Sequence, residues 1–447
     1  MQATPRRPRR PLTVLLATLP LIAAATACGG GTSNGSAGDG TGTIEVWYHS
    51  GQGPERDTLQ QQVKAFHAAQ KDVKVKLKLL PEGSYNDQVQ AASAAGSLPD
   101  LLDFDGPLLH SYVYKGKLTP LDELLPTPLL YNLTDAVRAQ GTFDKKLYSV
   151  GSFDSGLGMY GNKKLLDAAD VDYPKKLNES WTAAEFTAAL KKLAAHHKRQ
   201  QILDLGMSNG KGEWFTYGYG PIVWSAGGDF ITRQGNLKAN GVLNTPEVAK
   251  AFTILQSWKP NIDPDTDGTA FSSGKAALSW NGHWNYPNFE KALGKDLVVL
   301  PLPDFGNGTK TGQGSWNWGI TKSSKNQKAA AEFLSFLMKD DQVAATVKAN
   351  GAIPGTISGL SQSDLYDTGQ PLERFAHQLD TTCGTGPIDT SCIAVPRPST
   401  PAYPVITSAF QTAFENIYDG GDPKEALGKA AKEIDTDIAD NDGYVQP

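Results

Sequence analysis

Cysteine is scarce in this chain, with three among 447 residues. That excludes a scaffold held by many disulfides, and a thiolate zinc site has neither further cysteine nor a nearby histidine cluster to complete it. Basic runs are missing beyond the first ten residues, and the formal net charge is -5. An acidic chain without such runs argues against a nucleic-acid partner. A membrane-spanning run is also lacking. The apolar stretch from Pro11 to Ala27 falls short of the about 20 residues a span needs, is broken by Pro20 and is followed by no stop-transfer charges. No internal repeat is visible, which sets aside solenoid and propeller arrays.

What is present begins with that short apolar stretch. It follows Arg6, Arg7, Arg9 and Arg10 and ends in small residues, the charge, apolar core and small-residue order of a secretory signal over residues 1–27. The run "ATAC" resembles a bacterial lipobox, which implies cleavage before Cys28 and a lipid on its sulfur. Ala25 stands where such boxes usually carry Leu, and an ordinary secreted protein with a chance cysteine is the alternative. Residues 28–42 are rich in Gly and Ser, and a segment that buries so little reads as a flexible tether. Arg9-Arg10 leaves both general and twin-arginine export open.

Loss of residues 1–27 removes four cations and no acid, moving the formal charge from -5 to -9 and leaving 420 of the 447 residues. That length exceeds what one core usually supports, so two lobes are expected. With Cys28 lipidated, Cys383 and Cys392 remain as an even pair. In an oxidising exterior they are expected to form a disulfide closing a small loop.

Periodicity orders the rest. "TIEVWYHS" reads as a strand, "PERDTLQQQVKAFHAAQ" as a helix with Leu59, Val63 and Phe66 on one face, and "VKVKLKLL" as a half-buried strand. A helix opened by Ser84 and a strand in "LPDLLDFDG" follow. Strand, helix, strand, helix, strand is a parallel, doubly wound beginning, whose ligands gather beyond the carboxyl ends of its strands, here His49 to Gln52 and Asp103 to Gly106. Further helices are expected in "TAAEFTAALKKLAAHHK", "TPEVAKAFTILQSW", "NQKAAAEFLSFLMKDD" and "DPKEALGKAAKEIDTDI", and strands in "ILDLGM" and "DLVVLPLP".

The segments "LPDLLDFDGPLLHSYVYKGKLTPLDEL", "GSFDSGLGMYGNKKLL", "WSAGGDF", "FSSGKAALSWNGHW", "LPLPDFG", "WGITKSSKNQKAAAEFLSFLM" and "RPSTPAYPVITSAFQTAFENIYDGG", in this order, resemble the extracellular solute-binding proteins of carbohydrate ABC transporters, the family that includes maltose-binding protein. No single segment is specific, but seven in register cover nearly everything from Thr43 onward. The resemblance implies an α/β fold of two discontinuous lobes, residues 43–152 plus 320–352 and 153–319 plus 353–447. Crossings fall near Val150 to Asp154, Trp316 to Ile320 and Ala352 to Gly355, with a ligand cleft and a hinge between the lobes. It also implies a monomer that needs no cofactor and performs no catalysis, tethered at the outer face of the membrane beside its ABC permease.

A sugar presents an apolar face and a rim of hydroxyls, so its site needs aromatic platforms edged by donors and acceptors. The platform candidates are Trp284 in "NGHW", Trp214 and Tyr217 in "GEWFTYGYG", Trp224 before a GlyGly turn, and Trp316 in "GSWNWG". Each is weighed against a core role, whereas Trp47, Trp181 and Trp258 read as structural. The polar candidates are Asp105, Asp154, Arg397, Tyr403, Ser50, Gln52 and Glu55, although Glu55 also suits the positive end of a helix. Carboxylates accept from vicinal hydroxyls and Arg397 donates a fork.

Three look-alikes carry less. "GMSNG" matches a nucleophile elbow but does not run directly into a helix. "TAFSSGKAA" misses the phosphate-loop spacing. Asp263, Asp265 and Asp267 in "DPDTDG" have the first half of a calcium loop, but Gly274 stands at its closing glutamate position, so a solvated turn is favoured over a metal. Two rival functions remain. One is an exported glycoside hydrolase using a carboxylate pair such as Asp105 and Asp154. The other is the same binding fold for a polyol phosphate, which calls for more basic residues around the cleft.

Overall fold

Strand β1 (Gly42–His49) begins with alternating exposure and ends with four consecutive buried residues, as a strand does when it passes beneath cover on both faces. The computed structural model, which describes residues 38–384 and 386–444, pairs β1 in parallel with β2 (Val73–Leu80) and with β3 (Leu101–Asp105). The proposed signal, Cys28 and most of the tether lie outside the described residues. In β2, Val73 and Val75 are buried while the lysines point outward. The alternation in "VKVKLKLL" thus sets both extent and facing.

Helix α1 (Gly53–Ala69) buries the expected Leu59, Val63 and Phe66. Helix α2 (Glu82–Ala95) opens after Pro81, ahead of the expected Ser84 start, and stops at Gly96 with φ 67°, a conformation that glycine adopts without steric cost.

The chain then builds a second sheet. Its strands are β4 (Leu157–Asn162), β5 (Leu203–Asp204), β6 (Leu278–Gly282) and β7 (Leu297–Leu300), in the order β7-β4-β6-β5. Strand β5 is much shorter than "ILDLGM" suggested, because Gly206 turns the backbone at φ 70°. Helix α3 (Ala183–His197) starts at a capping box of Thr182 and Glu185. Helix α4 (Glu213–Ser225) is buried along its whole length. Strand β8 (Trp316–Ile320) returns to the first sheet, antiparallel to β3 with Trp316 opposite Asp105.

Helix α5 (Gln327–Leu337) sets Phe333 and Phe336 against Phe66, at ring separations of 5.0 and 5.3 Å, under the first sheet. Helices α6 (Tyr403–Tyr418) and α7 (Pro423–Asp440) pack on the second sheet's core, where Phe414 stacks on Tyr219 at 4.0 Å. Asp422 caps α7, accepting from the Glu425 amide at 2.8 Å.

The three expected crossing segments lie side by side. Val150 and Trp318 exchange backbone hydrogen bonds, Phe153–Asp154 pairs with Ile353–Pro354, and the Gly355 amide donates to the Ser152 carbonyl. A Cβ at Gly355 would fall 2.5 Å from the Gly151 carbonyl, so this close approach requires glycine. This is an α/β fold with two sheets, each on its own core. Among the described residues, no helix is long and apolar enough to cross a membrane.

Candidate ligand-binding site

Beyond the ends of β1 and β3 lies a cavity of about 290 Å³, walled by residues from both halves of the fold. Its aromatic wall holds Trp214, Tyr217, Trp284 and Trp316. Trp214 and Tyr217 sit in the first turns of α4, and Trp284 follows β6 directly. The Trp284 ring stands edge-on to Trp214 at 5.9 Å and tilted to Tyr217 at 6.2 Å, and its indole N–H donates to Asn209 at 3.0 Å. Gly282 admits that ring, since a Cβ there would lie 2.1 Å from it. Trp316 is stacked on His49 at 3.7 Å, nearly parallel.

The charged wall is built on Arg397. Its guanidinium donates to both oxygens of Asp105, at 2.8 and 2.5 Å, and to Glu213 at 2.6 Å, and it lies 4.5 Å from the Tyr217 ring centre. Tyr403 donates to the same Glu213 oxygen from behind the wall. Burial pushes the Glu213 carboxyl up to about 7, against the pull of Arg397 and with the help of neighbouring Asp105. Four buried atoms of wall residues, Asn86 Oδ1, Glu213 Oε2, the Tyr217 hydroxyl and Arg397 Nε, have no hydrogen-bond partner among the described residues. Orphans of this kind are rare in a finished core.

His49 is held by Asp103 through both its backbone amide and its ring Nδ1. Burial opposes a charge on the imidazole, but the Asp103 carboxylate prevails and holds its pKa up to about 9. His283, by contrast, is pushed down to about 4 by burial. Its Nδ1 meets the Asn350 carbonyl at 2.8 Å and its Nε2 meets Ser155 Oγ at 2.9 Å, while Asn350 donates to Glu55 at 3.2 Å. A neutral ring donating from Nδ1 and accepting at Nε2 fits both contacts.

Of the residues singled out from sequence, Gln52, Glu55, Asp105, Trp214, Tyr217, Trp284, Trp316 and Arg397 line the cavity. Four do not. Trp224 is fully buried, with its indole N–H donating to Asp229 at 3.0 Å. It lies ten residues along α4 from Trp214, about 15 Å at helical rise, and so falls in the core. Tyr403 is buried behind Glu213. Ser50 donates its amide to Leu80 at the end of the parallel ladder. Asp154 accepts from Gln140 and Gln313, each at 3.0 Å, and from the Ser155 amide at 2.9 Å, which locks it within the paired crossings.

Those placements bear on the rival functions. Asp105 is clamped by Arg397 and Asp154 is sealed away, so the two do not flank a common substrate position. Phosphate binding fares no better, because Arg397 and His49 already serve carboxylates and Lys211 pairs with Glu415 at 2.7 Å.

Sequence reading reached His49 only as the start of a strand-end stretch and missed Glu82, Ser155, Asn209, Glu213 and His283 on the wall. The pair Glu213-Trp214 at a helix start was the one available signal.

The acidic turn binds its own cation. Lys275 Nζ donates to Asp263 at 2.8 Å and to Asp265 at 2.7 Å, and Asp267 accepts from Thr269. This geometry disfavours a calcium site. Cys383 and Cys392 are joined as a disulfide.

A family model described as bacterial extracellular solute-binding protein matches residues 61–368. The chain belongs to that family. Among its relatives is a galactooligosaccharide-binding protein of Bacillus subtilis, 24% identical over 91% of this chain and 92% of the relative. Another is a maltooligosaccharide ABC transporter solute-binding lipoprotein of Streptococcus pneumoniae, 24% identical over 79% and 81%. The fold of this solute-binding protein is shared with a maltose/maltodextrin-binding domain of Bdellovibrio bacteriovorus solved with maltotriose, at TM-score 0.72 and 19% identity over 89% of this chain and 100% of that one.

Proposed function

We propose that this solute-binding protein captures a di- or oligosaccharide and hands it to an ABC permease, making and breaking no bond. The observation that carries the reading is the wall of four aromatic side chains around a cavity edged by carboxylates, amides and a guanidinium, which suits an apolar sugar face with a polar rim. Trp284, Trp214, Tyr217 and Trp316 are proposed as platforms, and Gln52, Glu55, Asp105 and Arg397 as polar contacts or their supports. Ser50, Asp154, Trp224 and Tyr403 take supporting places in this proposal. Residues 43–152 with 320–352, and 153–319 with 353–447, are proposed as lobes that hinge about the paired crossings. The relatives that bind galacto- and malto-oligosaccharides make those sugars the first to try.

Titration calorimetry against mono-, di- and oligosaccharides tests the reading. Saturable binding of at least one class with no shortened products after prolonged incubation supports it, and release of smaller sugars overturns it. Lipid anchoring at the extracellular face of the cell membrane through Cys28 belongs to the same proposal. Cys28→Ser should release the chain from membranes or leave it unprocessed, and a variant that stays membrane-bound with a mature, lipid-free N-terminus would refute the anchor.

A further inference from the structure

The tryptophans of the cavity wall are held in two different ways. Trp214 donates its indole N–H to the Tyr219 hydroxyl at 3.2 Å, and Trp284 donates to Asn209 at 3.0 Å. Those bonds fix the turn of each ring. The Trp316 N–H meets no acceptor among the described residues. What borders its ring instead is His49, flat against one face at 3.7 Å with 6° between the planes, and Tyr85, edge-on at 5.4 Å.

His49 is itself locked in place. Its backbone amide donates to Asp103 Oδ1 at 3.1 Å and its Nδ1 meets Asp103 Oδ2, while the Tyr85 hydroxyl donates to the Asp103 carbonyl at 2.6 Å. One residue of β3 therefore anchors both rings that border Trp316. His49 is 2% exposed and offers a solute almost no surface of its own, whereas Trp316 is half-buried and lines the cavity. A buried imidazole can simply fill space. The near-parallel contact with the one cavity tryptophan that lacks a hydrogen bond is what separates a support from a filler. An indole free to turn loses that freedom when a sugar settles on it, and one already stacked on a fixed ring has less to lose.

We infer that His49 is a positioning residue for sugar capture: held by Asp103, it backs Trp316 so that the other face of the indole is presented flat to the sugar ring. The inference rests on the sugar reading and deepens it.

The test is a double-mutant cycle on sugar affinity in the full chain, read by titration calorimetry with the tightest binder of a galacto- and malto-oligosaccharide panel. His49→Asn removes the ring while its amide keeps a donor near the former Nδ1, so Asp103 retains its hydrogen bond. It should weaken binding about 2- to 13-fold, the loss of one aromatic contact. In a Trp316→Ala background the same change should bring no further loss. In a Trp284→Ala background it should bring its full factor, since coupling belongs to residues in contact. His49→Phe, which restores a ring without the donor, should recover most of the loss. A role in folding alone would lower affinity alike in both tryptophan backgrounds.

Equal losses in the two backgrounds overturn the inference and leave the sugar reading standing. Unchanged affinity in His49→Asn does the same, as does a Trp316→Ala protein that binds as tightly as the unmodified one. A folded His49→Phe that binds no better than His49→Asn overturns the part given to the ring, and if that variant fails to fold the His49→Asn cycle decides alone. If no sugar of the panel binds the unmodified protein, the sugar reading falls and takes the inference with it.

Discussion

Arg397 and Asp105, 292 residues apart in sequence, meet through two parallel hydrogen bonds of 2.8 and 2.5 Å. The contact joins the loop before α6 to the carboxyl end of β3, and both residues are buried. Taking such charges out of water is costly, so the pair is better read as setting the position of the wall than as a source of net stability.

Removing one partner should nonetheless be severe. Arg397→Ala leaves Asp105 and Glu213 side by side without their shared cation and should cost about 3–5 kcal/mol. Urea unfolding of the ligand-free protein measures it. A loss below 1 kcal/mol would mean that the two carboxylates relax into solvent or protonate cheaply.

Two tryptophans should separate binding from stability. Trp284→Ala removes a half-buried platform and should weaken sugar binding roughly 5- to 150-fold, by analogy with stacking worth about 1–3 kcal/mol. Its melting temperature should change little. Trp224→Ala removes a core indole and should cost about 3–5 kcal/mol of stability. Sugar titration and thermal unfolding on both variants check this, and a reversed pattern would exchange the two assignments.

Two groups should contribute stability that is lost as pH rises. Glu213 has a folded pKa of about 7, raised from 4.5, so its native state holds the proton more tightly. The stability this contributes is fully present below 4.5 and lost toward 7. His49, raised from 6.5 to about 9, contributes stability that is fully present below 6.5 and lost as pH climbs through 9. His283, pushed down from 6.5 to about 4, contributes in the opposite sense between those values, so the two contributions are read from differences between each variant and the unmodified protein in denaturant unfolding between pH 5 and 9.5. Relative to the unmodified protein, Glu213→Gln should lose less stability as pH rises through the lower part of that range and His49→Gln through its upper part, and parallel slopes in all three proteins would sink the assignment.

The Cys383–Cys392 bridge closes a short loop that buried Lys310 also holds, with Nζ donating to the carbonyls of Asn307, Asp389 and Cys392, each at 2.8 Å. Replacing both cysteines by Ala should cost about 2–3 kcal/mol in the chain-entropy model. Lys310→Met should add a further loss by orphaning three carbonyls. Chemical denaturation of the single and double replacements gives both values. Non-reducing mass mapping of exported protein should recover the linked peptides, and two free thiols there would refute the bridge.

Local patterns carried much of the fold. Alternation in "VKVKLKLL" marked a strand and its buried face, and apolar spacing marked the inner faces of α1 and α5. The capping chemistry of Asp422 with Pro423 placed the start of α7. These features depend on neighbours within a few residues, so the sequence alone contains their cause. The order of strands and helices likewise implied a doubly wound beginning.

The site was legible only in part. Aromatic residues beside Gly-rich turns pointed to Trp214, Tyr217, Trp284 and Trp316, yet the same rule selected Trp224. Its place depends on how deeply α4 is buried, and Glu213 is within reach of Arg397 only because residues 184 apart are brought together. Composition and periodicity marked a secretory signal and an α/β chain long enough for two lobes, because those signals are written in local spacing, and the family resemblance supplied the sugar-directed reading of its aromatic and polar residues. Tertiary structure alone decided which tryptophans meet the cavity and which carboxylates are sealed in the crossings. Burial and long-range pairing are properties of the assembled fold, and no short stretch of chain encodes them.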